Sequence, residues 1–147
     1  MKTENDKKEV IKKHKLDQLY IDLASRIAEM SVAERNKVGC IIVKDTNIIA
    51  YGWNGMPKGF DNKCEDDNNV TKKEVLHAES NAISKIAKYG QSSNEAILYI
   101  TLSPCIECAK LIIQTGIKRV VYSTQYRKID GIKLLLEANI EVNQLKS

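Results

Sequence analysis

Ala96-Ile97-Leu98-Tyr99-Ile100-Thr101, then Ser103-Pro104-Cys105-Ile106-Glu107-Cys108, then Arg119-Val120-Val121-Tyr122 lie within one short reach of chain. The first run is apolar, aromatic and β-branched, and reads as a strand. Ser103-Pro104 turns the chain. Cys105 to Thr115 has helical apolar spacing and stops at Gly116. The third run is a second strand. A strand, a crossing helix and a strand favour parallel pairing, because a hairpin needs no helix between its strands.

The pattern extends in both directions. Downstream, 123–128 is a polar loop, 129–138 a helix and 140–142 a last strand. Upstream, 77–89 reads as a helix with Ala78, Ala82, Ile83, Ile86 and Ala87 on its apolar side. Before it, Gly52 to Asn69 is rich in glycine and acidic residues and reads as a loop long enough to suggest a role. The runs 38–43 and 48–51, joined by polar residues, predict a hairpin. Leu16, Leu19, Tyr20, Leu23, Ile27 and Met30 recur at helical spacing, which predicts a helix from Lys15 to Glu34. The expected fold is α/β, a three-layer α/β/α sandwich around a mixed five-stranded sheet. Residues 1–14 read as a basic arm or helix extension, and 15–147 as one domain.

The chain's 147 residues suffice for a core without disulfides, and 43% apolar with 29% charged residues is ordinary globular composition. No apolar run approaches the roughly 20 residues of a membrane span, and the polar N-terminus lacks a secretory apolar stretch. The expected compartment is the cytoplasm. Most of the +4 charge sits on Lys2, Lys7, Lys8, Lys12, Lys13 and Lys15, so the remaining chain is near neutral. That distribution argues against a nucleic-acid partner, although a basic arm can touch phosphates.

His77-Ala78-Glu79 and Pro104-Cys105-Ile106-Glu107-Cys108 each open an expected helix. Such helix starts, beside strand ends, are where open α/β sheets place their sites. One imidazole and two thiolates suit a tetrahedral zinc ion. Three protein ligands leave a position open for water, which marks a catalytic site rather than a structural one. Zinc makes that water acidic enough to supply hydroxide near neutral pH. Glu79, two residues past His77, is placed to shuttle protons to a ring nitrogen and a leaving amine. A redox dithiol is the competing reading of Cys105 and Cys108 alone, and a solvated charge that of Glu79 alone. Arg35 and Lys37 flank a strand start, where they meet a phosphate or complement a helix dipole. Cys40, in an apolar run, reads as core.

His-x-Glu with Pro-Cys-x-x-Cys is the signature of zinc nucleobase deaminases. Together with Lys37 to Val43, Gly52 to Gly59 and Gly116 to Tyr122, it makes the chain resemble the cytidine and deoxycytidylate deaminase superfamily from about Leu16 to Val142. The Asn54-Gly55-Met56-Pro57 loop is closest to the deoxycytidylate (dCMP) deaminases. The resemblance implies a cytidine deaminase-like fold and one catalytic zinc. It implies hydrolysis of dCMP to dUMP and ammonia, which supplies thymidylate synthesis. A polynucleotide deaminase acting on tRNA adenosine or cytosine is the alternative.

By resemblance, Asn54 hydrogen-bonds the nucleoside, Ala78 lies against it, and Tyr126, Arg127 and Arg35 are near the sugar or phosphate. Asn54 also reads as a turn residue, Tyr126 as packing and Arg127 as a solvated charge. The same likeness implies dCTP and dTTP as effectors at Trp53, Gly55, Met56 and Gly59, and a homo-oligomer from dimer to hexamer. Trp53 stands where the family usually has tyrosine. Cys64 is a candidate ligand for a second zinc, in a segment that is short before His77.

Overall fold

The computed structural model describes all 147 residues. Its elements are α1 (Glu4–Ala28), β1 (Gly39–Lys44), β2 (Asn47–Trp53), α2 (Ala78–Lys88), β3 (Ile97–Leu102), α3 (Ile106–Gln114), β4 (Arg119–Thr124), α4 (Asp130–Glu137) and β5 (Glu141–Gln144). The strands form one sheet in the order β2-β1-β3-β4-β5. β1 is antiparallel to both β2 and β3, while β3, β4 and β5 run parallel. The sheet is therefore mixed and five-stranded, as the alternation of strands and helices predicts.

Side-chain alternation explains the layers. Cys40 and Ile42 of β1, Leu98 and Ile100 of β3, and Val120 and Tyr122 of β4 face one core with Ala82 and Ile86 of α2, Ile112 of α3 and Leu135 of α4. The intervening Ile41, Val43, Tyr99 and Val121 face a smaller core with Tyr20, Ile21 and Ala24 of α1. A period of two sends successive residues to opposite faces. Burial on both faces makes these strands continuously apolar, as strands between two helical layers are.

The first helix includes the extension at its start and stops short of its expected end. It begins at Glu4 because Thr3 and Asp6 form a capping box. The Asp6 amide donates to Thr3 Oγ1 at 3.1 Å and the Thr3 amide to Asp6 Oδ2 at 2.9 Å. The lysine-rich segment is thus helical from Glu4, running without a break into the part that packs on the sheet. The helix ends at Ala28, before the expected Glu34. Beyond it the chain is held by Ser31, whose hydroxyl donates to the Asn54 carbonyl at 2.8 Å and accepts from the Ala33 amide at 3.2 Å. Leu19 and Met30, read as apolar-face residues, are exposed.

A polar group lies beneath α1. Asp17 takes a two-pronged pair from Arg119 Nη1 and Nη2, both 2.8 Å, and the Tyr99 hydroxyl donates to Asp17 Oδ1 at 2.5 Å. Arg119 Nε also meets Asn143 at 2.8 Å and Glu141 at 2.5 Å. Burial alone would raise the Asp17 carboxyl, but the Arg119 and Tyr99 hydrogen bonds and the Arg119 charge outweigh it and hold the group below its usual range.

Asp17→Asn is expected to cost about 3 kcal/mol in urea unfolding, because Arg119 loses its buried counter-charge. A depressed folded pKa contributes stability that is present above the unfolded pKa and lost as pH falls through the folded one. The wild-type chain therefore loses stability below about pH 4, and the Asp17→Asn chain loses less over that window.

Candidate active site

Both chemistry-bearing segments occupy helix starts. His77 is the N-cap residue of α2, and Cys105 that of α3, each in extended backbone geometry. Ala78 and Glu79 are the first two residues of α2, and Cys108 is the third of α3. First-turn amides have no partner within the helix, so each start presents donors and partial positive charge. Such an environment favours thiolates.

Two glycines let these helices sit where they do. A Cβ on Gly52 of β2 would lie 2.6 Å from the Ala78 carbonyl oxygen and 2.8 Å from the Ala82 nitrogen. A Cβ on Gly131 of α4 would lie 2.1 Å from the Pro104 carbonyl oxygen and 2.8 Å from the Cys105 carbonyl carbon. Gly131→Ala is thus expected to displace the turn that carries Cys105. It should cost about 1–3 kcal/mol by overpacking and weaken zinc retention in a chelator competition.

The donor atoms converge. His77 Nδ1 is 3.5 Å from Cys105 Sγ and 3.3 Å from Cys108 Sγ, and all three donors lie within 4.8 Å of one another. In a tetrahedral site with Zn–S near 2.3 Å and Zn–N near 2.0–2.1 Å, the N···S edge is about 3.6 Å. The spacing and the donor set both fit zinc. No second trio of His, Cys, Asp or Glu donors forms in the chain, and Cys64 belongs to none. Its thiol is pushed up by burial and then by Glu65.

Electrostatics separate the roles. Cys105 is the acidic sulfur, drawn down to about 4, first by the Cys108 hydrogen bond and then, against burial, by His77. Cys108 is pushed up by its bond to Cys105 and by burial. Glu79 is 3% exposed, and burial raises its carboxyl from the ordinary 4.5 to about 7. A carboxyl tuned toward neutrality can both accept and return a proton. A bound cation acts in the opposite sense, favouring the ionised form.

A cleft of about 480 Å³ opens over this centre, a size ordinary for small-molecule sites. Arg35, Asn54, Ala78, Tyr126 and Arg127 line it together with His77, Glu79 and Cys105. Asn54 has structural duties there: Oδ1 accepts from the Val38 amide at 2.9 Å and Nδ2 donates to the Asn36 carbonyl at 2.7 Å. One hydrogen of the amide and one lone pair of the oxygen remain for a ligand. The Arg127 guanidinium lies 5.9 Å from the centre of the Tyr126 ring.

Trp53, Gly55, Met56 and Gly59 are not in the cleft wall. Gly55 pairs with Leu76 through both backbone bonds, at 3.1 and 2.8 Å, which fixes the approach to His77. Trp53 stacks on Tyr51, with ring centres 6.2 Å apart.

Sequence reasoning missed three residues. Ser103 Oγ accepts the Tyr126 amide at 2.7 Å and so places Tyr126. Asn36 lines the cleft while its carbonyl receives Asn54. Glu65, also in the wall, accepts the amides of Glu34 at 2.8 Å and Arg35 at 3.2 Å. In sequence it looks like one more charge in an acidic loop. Only its burial, at 3% exposed, separates it from Asp66 and Asp67.

Residues 14–124 match the model of the cytidine and deoxycytidylate deaminase zinc-binding region. The chain belongs to the cytidine and deoxycytidylate deaminase family. It is 36% identical over 138 residues to the deoxycytidylate deaminase of Saccharomyces cerevisiae, covering 87% of this chain and 44% of that protein. With that of Schizosaccharomyces pombe the covered share is 41%. The chain thus spans less than half the length of the two yeast relatives. The dCMP deaminase of cyanophage S-TIM5, solved with dCMP and dUMP, superposes with a TM-score of 0.87 at 42% identity. There 89% of this chain covers 97% of the phage protein. A tRNA deaminase of the wobble position shares the fold alone, with a TM-score of 0.61 at 22% identity over 87% of this chain and 98% of that one. As in this family, the site built by His77, Cys105 and Cys108 is a zinc site.

Proposed function

We propose that this chain hydrolyses dCMP to dUMP and ammonia. The observation that carries the reading is a buried carboxyl, Glu79, beside the His77, Cys105 and Cys108 donors and in the wall of a cleft of nucleotide size. The likeness to the cyanophage dCMP deaminase, over nearly all of that protein, supports dCMP as the substrate. When bound, zinc supplies the Lewis acidity that makes a hydroxide nucleophile available near neutral pH.

The chain's own residues do the rest. Glu79 takes one proton from the attacking water and gives it to ring nitrogen N3. It then takes the remaining proton from the hydroxyl added at C4 and gives it to the exocyclic amine, which departs as ammonia as the carbonyl forms. Its burial keeps bulk water from competing for those protons. Ala78, with a free first-turn amide, and Asn54, with unused polar capacity, hold the base and sugar. Arg35 and Arg127, both exposed at the cleft, meet the phosphate. Parallel kinetics on dCMP and deoxycytidine test this assignment. The expected result is a kcat/KM for dCMP at least about 10-fold higher, falling toward that of deoxycytidine in Arg35→Ala or Arg127→Ala, since a charge-assisted contact contributes about 1.5–3 kcal/mol. Equal turnover of the two substrates would remove the phosphate from the reading.

The effector reading has its own support. Trp53, Gly55, Met56 and Gly59 lie outside the cleft wall, so a second nucleotide, dCTP or dTTP, can meet them without displacing substrate. Ile106, Leu111 and Leu136 leave apolar surface exposed on α3 and α4, which supports a homo-oligomer. No helix is long and apolar enough to cross a membrane. Four unpaired cysteines favour a reducing compartment such as the cytoplasm. Turnover of dCMP with and without dCTP checks the effector assignment. Sigmoidal kinetics that dCTP makes hyperbolic are expected, and identical curves contradict it.

A further inference from the structure

Glu65 carries chemistry that the mechanism above does not use. It lies in the long connection between β2 and α2, where Glu65 and Thr71 form an isolated bridge. Asp66 braces the turn between them, its Oδ1 accepting the Asn68 and Val70 amides at 2.9 and 3.0 Å. This turn directs the Glu65 side chain inward. One oxygen, Oε1, accepts both the Glu34 and Arg35 amides. It thereby pins the segment that brings Arg35 and Asn36 to the cleft. The other oxygen, Oε2, has no hydrogen-bond or ion-pair partner in the chain. No fully buried side-chain polar atom in the protein lacks a partner, so Oε2 keeps access to solvent, and Glu65 lines the cleft.

We propose that Glu65 is a substrate-binding residue whose Oε2 accepts the 3′-hydroxyl of the deoxyribose. This rests on the dCMP reading above and deepens it. A carboxylate repels a phosphate, so the phosphate belongs at the exposed arginines. The amidine edge of the base belongs with Glu79, beside the zinc ligands. The proton donor that remains on a 2′-deoxynucleotide is its single sugar hydroxyl. An oxygen in a residue that is 3% exposed has lost most of its water, and a ligand hydroxyl restores what burial removed. The same side chain links substrate recognition to the loop that carries Arg35, because its two oxygens face the two partners.

The test compares dCMP with 2′,3′-dideoxycytidine monophosphate, which lacks only that hydroxyl, in wild-type and Glu65→Gln chains of matched thermal stability. A hydrogen bond to a charged group predicts a wild-type preference for dCMP of about 10- to 100-fold in kcat/KM. In Glu65→Gln the amide oxygen still serves Glu34 and Arg35, and the preference is expected to fall severalfold, chiefly through KM for dCMP. Glu65→Ala, lacking the loop anchor too, should raise KM for both substrates.

A wild-type chain that deaminates both nucleotides equally well overturns the assignment without recourse to any variant. So does a Glu65→Gln chain that keeps the full preference. A wild-type chain that releases no ammonia from dCMP overturns the dCMP reading and this assignment together, so the two failures are distinguishable.

Discussion

Glu79→Gln is expected to lower turnover of dCMP by about 10²–10⁴-fold, the usual contribution of a positioned general acid-base. Glutamine has nearly the shape of glutamate but cannot carry the proton. Zinc content and thermal stability should therefore stay close to wild type. KM should change little, because what is lost is a proton transfer and not a contact with the resting substrate. Zinc analysis beside steady-state ammonia release checks both halves. A Glu79→Gln chain that keeps most of its turnover would contradict the mechanism even if it folds around zinc. A chain acting only as a zinc-stapled binding module predicts instead that Glu79→Ala leaves ligand binding intact, since such a module has no use for a buried carboxyl beside the metal.

Loss of zinc is the second large effect. Cys108→Ser removes one of three converging donors, and the remaining pair does not make a strong site. Zinc is expected to fall from one ion per chain to near zero, with turnover below detection. Stability should follow. Free zinc at a thousand times its Kd stabilises the folded state by about 4 kcal/mol. For a domain of this size that corresponds to a Tm difference of roughly 8–16 °C between loaded and stripped wild type. The Cys108→Ser chain should show little of this difference. A variant that binds zinc stoichiometrically would place the metal elsewhere.

The sequence made the α/β/α layers legible because the strands are buried on both faces. Apolar runs such as Ala96 to Thr101, divided by helices of which two stop at Gly90 and Gly116, leave few alternatives. The metal centre was legible for a similar reason. His77, Glu79, Cys105 and Cys108 sit in two local motifs, and each motif is set by a single helix start. The first helix was left open at its start, as arm or extension, and misjudged at its end, because its limits depend on polar detail. Thr3 and Asp6 cap it in a segment that reads only as charged, and Ser31 holds the chain beyond it through a distant carbonyl, that of Asn54.

The Asp17, Tyr99 and Arg119 network joins residues up to 102 positions apart, so no local pattern announces it. Glu65 was missed for the same reason, because its role depends on which way a loop turns. Asn54 was read as a ligand contact and proved also to be a clamp on Asn36 and Val38. Burial and partners decide such residues, and neither is written in their immediate neighbours.

The central claim is that the zinc centre serves a free deoxynucleotide. Zinc-loaded chain, incubated in parallel with dCMP and with a tRNA anticodon stem-loop, tests it most directly by ammonia release and product analysis. The account predicts dUMP and ammonia in equal amounts from dCMP, and no release from the RNA. Ammonia from the stem-loop with dCMP left intact would contradict it.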